Sequence, residues 1–296
     1  MNGQLKRVIT RFIVHKFDNS AIDLIENMAN EDIFSMLKVG QNAASKISKT
    51  KIARLKETDV SGNLNQVNQS ILSKDFNLRW KIYGTHLITN IPQQLDVNSY
   101  STSKGDQKLI KIAAFDLDGT LVDTKTGLKF ARGASDWRWW TSKDSKNLNV
   151  MDKLKKLVTD KYIIVIFSNQ GGVVATKTSK SYLAFTGRVN NVLKELNTEK
   201  EVPGVLVYAS PKKPSSKNQK IAVSSDEDHA IMRKPNIGMW NELAKYFEDQ
   251  GYTIDTNNSF FVGDAAGRSN DFLDSDKMFA RNADLQFKIP EEIFGP

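Results

Sequence analysis

Residues 111–123 read KIAAFDLDGTLVD, and this stretch decides the fold. Ile112 to Phe115 form an apolar run of the kind that a buried strand requires. Asp116 and Asp118 follow at a spacing of two, and Gly119–Thr120 breaks the run. Side chains along a strand repeat every two residues, so the two carboxylates point the same way at the strand end. The glycine lets the chain turn away and leaves both open. Like charges this close are costly to ionise together unless a cation accompanies them. One carboxylate is then placed to act as a nucleophile and the other to deliver a proton. Two aspartates in a strand-end turn are also compatible with a plain metal site or with chance. The whole string is more specific than the pair.

Further apolar runs lie at Ile163–Phe167, Val205–Ala209 and Phe260–Val262, with helical spacing over Val150–Thr159, Tyr182–Leu196 and Ile237–Phe247. Strands alternating with helices on short connections predict an α/β fold. The expected core is a doubly wound, mostly parallel sheet that binds ligands at the carboxyl ends of its strands. Trp80 to Ile91 adds an edge strand or hairpin. No internal repeat or heptad is present.

The chain of 296 residues contains no cysteine. Disulfides, thiolate zinc sites, iron–sulfur clusters and a cysteine nucleophile are therefore excluded. Its three histidines, His15, His86 and His229, are far apart, so any metal is expected to be a hard cation held by oxygen. The net charge of +8 suits a polyanionic partner. No apolar run is long enough to cross a membrane, and none is expected to.

Two domains are expected. Residues 1–78 read as a partly helical, basic extension and residues 79–296 as the α/β domain. The first 17 residues are basic, which fits either an N-terminal strand or arm, or a mitochondrial presequence. Ser20 is placed to cap a helix carrying Ile22, Ile25, Ala29, Ile33, Met36 and Leu37. Lys38 to Lys56 carries lysines and an arginine without an acid, and reads as a solvated linker or as a nucleic-acid-contacting or nuclear-targeting patch.

The string DLDGTLVD resembles motif I of the haloacid-dehalogenase-type phosphohydrolases, and the other motifs follow in order. Ser168 and Asn169 end the next strand, Lys234 stands in RKPN near a helix start, and Phe260 to Asp264 form an apolar run closing in acid. SDW (135–137), IFSNQGG (166–172), RKPNIGMW (233–240), FVGDAAGR (261–268), DFLDSD (271–276) and IPEEIF (289–294) resemble the phosphatase domain of the polynucleotide kinase 3′-phosphatase family. The resemblance covers about residues 79–296. No G-x-x-x-x-G-K-[ST] occurs, so no ATP site is expected and the pattern is that of the stand-alone budding-yeast members.

The resemblance implies a fold with a minimal cap, and a Mg²⁺-dependent enzyme that removes 3′-phosphate from DNA ends in repair. It implies Asp116 as nucleophile, Asp118 as acid–base, and Ser168 and Lys234 as catalytic partners. Mg²⁺ would be held by Asp116, Asp264 and the backbone carbonyl of Asp118. Thr120, Asn169, Gly171 and Arg268 would meet substrate. Asp271, in the pair Asp271–Phe272, would support the metal from outside, although it lies farther past Asp264 than the second acid of related phosphatases. Lys177, Lys180, Arg188, Lys212, Lys213, Lys217 and Lys220 flank the expected groove. Trp137, Trp139 and Trp140 fit either base stacking or packing of a flap. His229 reads as structural or exposed, and Ser224–Asp228 as a solvated loop. A nuclear monomer is expected, with the mitochondrion as the other location. Two other functions fit the same scaffold: a small-molecule or phosphoprotein phosphatase, and a non-catalytic DNA-end scaffold.

Overall fold

The computed structural model describes residues 79–295, apart from 94, 142–149, 199–201, 203, 216–221, 270 and 272. The expectations placed on residues 1–78, Lys217, Lys220 and Phe272 fall outside the described residues.

The elements run β1 (Trp80–Tyr83), β2 (Leu87–Asn90), β3 (Thr102–Lys104), β4 (Gln107–Phe115), β5 (Val122–Asp123) and β6 (Arg138–Trp139). They continue as α1 (Val150–Thr159), β7 (Tyr162–Val174), α2 (Lys180–Thr198), β8 (Leu206–Lys212), α3 (Asp226–Met232) and α4 (Gly238–Glu248). The last are β9 (Tyr252–Ile254), β10 (Phe260–Val262), α5 (Ser275–Asn282), β11 (Gln286–Lys288) and α6 (Pro290–Phe294).

The main sheet has the order β1-β2-β8-β7-β4-β10-β11. Strands β8, β7, β4, β10 and β11 are mutually parallel, and the β1–β2 hairpin adds antiparallel to β8. The chain starts at the middle of the parallel core with β4, moves outward through β7 and β8, and returns to the other side for β10 and β11. That reversal puts a crevice at the carboxyl end of β4, where a doubly wound sheet binds ligands.

Both faces of the sheet are covered because both are apolar. Along β4, Ala113 and Phe115 join one core while Ile110, Ile112 and Ala114 join the other. In β7, Ile164 and Ile166 alternate in the same way with Ile163, Val165 and Phe167. The first core is closed by α1, α6 and α2, whose Phe185, Val189, Val192 and Leu196 recur at helical spacing. The second is closed by α4 and α5 through Met239, Trp240, Leu243, Phe247 and Phe279.

Local structure departs from the sequence expectations in two places. Strand β7 does not stop at Phe167. It continues through Ser168, Asn169 and Gln170, which pair with Ala209, Ser210 and Pro211 of β8. Ser224–Asp228 is not a loop throughout: Ser225 caps α3, accepting from the Asp228 amide while Asp228 accepts from the Ser225 amide.

The cap is a small flap, the antiparallel pair β5–β6. Asp136 holds its connection closed, accepting from Thr126 N, Thr126 Oγ1 and Arg132 N. Trp137 is buried and packs edge-on against Trp139, whose Nε1 donates to Glu195 Oε1 at 2.7 Å. Trp140 leans on Phe294. Packing, not display, occupies this cluster.

Phe167 is fully buried among the rings of Tyr208, Trp240, Phe261 and Phe279. Phe167→Ala is expected to lower unfolding stability by about 3–5 kcal/mol, read as a fall in the urea midpoint at constant slope.

Candidate active site

Register builds the site. Phe115, the last residue of β4, pairs with Val262 at the end of β10 and with Ile166 of β7. Residues immediately beyond those positions therefore emerge side by side. The Asp116 amide donates to Val262 O at 2.8 Å, fixing where its side chain leaves the sheet. Gly119 follows at φ +81°, and a Cβ there would lie 2.8 Å from Asp264 Oδ2. Glycine thus serves both the turn and the approach of the second acid.

Three carboxylates converge here. Asp116, Asp264 and Asp276 each offer an oxygen within 4.8 Å of the others. Asp276 comes from the first turn of α5 and reaches the group because residue 263 is glycine. A Cβ at Gly263 would sit 2.5 Å from the Asp276 side chain. The Asp276 carboxylate also accepts from the Ala265 amide at 3.1 Å.

Lys234 supplies the compensating charge. Its ammonium donates to Asp116 Oδ1 at 2.6 Å and to Phe167 O at 2.9 Å, and lies 2.7 Å from Asp276 Oδ1. It also lies over the Phe261 ring. Asn169 sets the position of that lysine: its Nδ2 donates to Lys234 O and its Oδ1 accepts from Lys234 N. Burial opposes the charged form of Lys234, but Asp116 and Asp276 overcome it and hold the pKa above the ordinary lysine value.

One ammonium does not balance three acids. Burial pushes the Asp116 carboxyl upward against the pull of Lys234. Asp264 is pushed up to about 6, first by burial and then by the charge of Asp276. These are the signs of a site short of positive charge, and clustered oxygen donors suit a hard divalent cation. The residues fit such an ion.

Asp118 faces elsewhere. Its Oδ1 pairs with Arg188 Nη1, and its Oδ2 accepts from Arg188 Nη2 at 3.0 Å and from Gln170 Nε2 at 2.8 Å. Gln170 Nε2 also donates to Ser168 Oγ at 2.8 Å, linking Ser168 to the same network. Ser168 and Thr120 are buried, and Thr120 Oγ1 has no hydrogen-bond partner. The side chain of Asp118 is not in the acidic trio.

Other candidate residues stand outside the acidic trio. Asp271 is not in the acidic group. Its Oδ2 accepts from the amides of Ala266 and Arg268, and its carboxylate pairs with Arg268 Nε. Arg268 is committed as well, contacting Asp264 O and Glu291. Together they brace the loop carrying Asp264, and the acid that joins the trio is Asp276. Gly171 lies under the Arg233 guanidinium, 3.3 Å from where its Cβ would be. Arg188, expected beside the groove, is buried on Asp118. His229 is buried, with Nε2 3.0 Å from Thr85 Oγ1.

The family described as "Polynucleotide kinase 3 phosphatase" matches residues 111–294, which spans every motif above. The chain belongs to this family. An "Uncharacterized 20.8 kDa protein in FGF-VUBI intergenic region" of Autographa californica nuclear polyhedrosis virus is 38% identical over 68% of this chain and 94% of its own. "Polynucleotide 3'-phosphatase" of Saccharomyces cerevisiae is 35% identical over 64% of this chain and 89% of its own. "Bifunctional polynucleotide phosphatase/kinase" of Schizosaccharomyces pombe is 36% identical over 69% of this chain, but the match takes in only 42% of its own length. The family's matched segment contains the trio, Lys234 and the Asp118–Arg188 pair.

A cation that fills the trio competes with protons at Asp264. Raised folded-state pKa means that ionising Asp264 costs stability as pH climbs from the usual carboxylate range through about 6. Binding should remove that cost. The increase in Tm on adding Mg²⁺ is therefore expected to grow across pH 4–6 and then level off. Asp264→Asn should lose most of the increase in the same thermal scans.

Proposed function

We propose that this chain is a polynucleotide 3′-phosphatase that hydrolyses the phosphomonoester at 3′ ends of broken DNA and leaves a 3′-hydroxyl. The observation that carries the reading is Asp116, held by Lys234 at the carboxyl end of β4 beside two further acids, in a chain of this family. The yeast relatives are named for phosphatase activity on polynucleotides, one of them at the 3′ position, which favours a polynucleotide over a small ester.

In this reading Asp116 attacks the phosphorus, and the bond from phosphorus to the 3′ oxygen breaks. Asp118 gives its proton to that oxygen as it departs. Water then attacks the aspartyl-phosphate, Asp118 takes a proton from it, and phosphate leaves with Asp116 regenerated. Lys234 compensates charge on Asp116 and on the phosphoryl group throughout, the main task of a phosphoryl-transfer site. Mg²⁺ would be held by Asp116, Asp264 and the carbonyl of Asp118, with Asp276 in support. When bound it neutralises phosphoryl oxygens and so opens the way for an anionic nucleophile. Ser168 and the amides near Thr120 and Asn169 bind phosphoryl oxygens. The described flap is a short pair of strands, which suits a substrate as large as a strand end.

Repair of strand breaks in chromosomal DNA fits a nuclear location for this activity. No described helix is long and apolar enough to cross a membrane.

The deciding assay compares phosphate release from a nicked duplex bearing 3′-phosphate with release from its 5′-phosphorylated counterpart, with and without Mg²⁺. Release is expected only from the 3′ end and only with Mg²⁺. A sugar phosphate with the higher kcat/KM would replace this function by metabolite hydrolysis. Asp116→Asn should abolish turnover while leaving the circular dichroism spectrum unchanged. Asp118→Asn should lower kcat on the order of 10²–10⁴-fold.

A further inference from the structure

Arg188 stands on the buried face of α2, in line with Phe185 and Val192, where the helix periodicity calls for an apolar residue. Only 6% of its side chain is exposed. Its guanidinium leaves that core to meet a carboxylate whose own side chain is 42% exposed. A buried arginine is expensive to keep unless its partner is fixed. Here both members of the fork are used, one on each oxygen of Asp118, and Gln170 adds a third donor on Oδ2.

We infer that Arg188 is a positioning residue for proton delivery, holding the Asp118 carboxylate at the site entrance in the orientation from which it serves the departing 3′ oxygen. The inference rests on Asp118 as the group that supplies that proton. Asp118 is half-exposed and lies beyond the end of β4, so burial does little to fix its carboxylate. Two parallel N–H···O bonds remove its rotational freedom in a way that a single-point lysine cannot. The full fork receives the carboxylate left once the proton has gone to the 3′ oxygen, and one oxygen is released from it when Asp118 carries that proton. Gln170 extends the same restraint to Ser168, so the proton donor and a phosphoryl-binding hydroxyl share one frame.

The test uses two 3′-phosphorylated oligonucleotides that differ in one atom, the bridging 3′ oxygen or a bridging sulfur. A thiolate leaves without a proton, so a defect in proton delivery affects the oxygen substrate alone. Arg188→Met keeps the buried stem and removes the fork. It is expected to lower kcat/KM on the oxygen substrate by about 10- to 100-fold, the range for a misaligned catalytic group, and on the sulfur substrate by far less. Arg188→Lys, which retains charge and one donor, should recover part of the loss and covers the case in which Arg188→Met fails to fold. Equal losses on both substrates, or no loss, overturn the inference, because a substrate contact or a purely structural role moves both together. Asp118→Asn separates the two levels. If it too shows no preference for sulfur, the role given to Asp118 fails and the inference fails with it. If it prefers sulfur and the Arg188 variants do not, the inference fails alone.

Discussion

Three carboxylates crowd around one ammonium at the carboxyl end of the central strand, and the rest of the architecture keeps them there. Mutual repulsion and burial would scatter such a group or protonate it. The sheet prevents scattering through backbone bonds, since Asp116 is anchored on Val262 and Lys234 is gripped through its main chain by Asn169. The two close approaches at Gly119 and Gly263 bring the second and third acids inward. The remaining imbalance is chemical: one ammonium faces three acids, an arrangement that suits a hard cation.

The two aspartates of the central motif divide the work by acquiring different cations. Asp116 pairs with Lys234 in surroundings that are almost wholly buried, while the half-exposed Asp118 pairs with Arg188. Under the proposed mechanism this division suits both roles: a nucleophile needs a fixed position and a screened charge, whereas a proton carrier needs contact with solvent and the leaving group. Burial on one side and partial exposure on the other supply these conditions within three residues of chain. Gln170, reached only because β7 runs on beside β8, ties the outer aspartate to Ser168.

The acidic loop shows how spacing along the chain can mislead. Asp271 is the first acid after Asp264 and the natural choice for a supporting carboxylate. It is spent on capping the turn of its own loop, with Arg268 as partner, because short-range amides at Ala266 and Arg268 reach it first. Asp276 is farther along but sits on α5, which carries it back over Gly263. The basic residue Arg268, which reads as a groove cation, is consumed in the same brace.

Local pattern was enough to read β4, β7, β8 and β10 in chain order, the apolar faces of α1, α2 and α4, and Asp116 and Asp264 at strand ends. Those features are local: a period of two or of 3.6, an apolar run, and the residue where it stops. The short pieces β3, β9, β11 and α5 carry too few periodic apolar positions to be read in that way. Tertiary structure alone decided that Asp276 completes the acidic trio, that Arg188 and Gln170 hold Asp118, and that Asn169 clamps Lys234. Each of these contacts joins residues well apart in the chain, through β7 lying beside β4, α2 packing on β7, and α5 packing on β10 and β11. No repeat along the chain encodes such a meeting, because it depends on where whole elements come to rest.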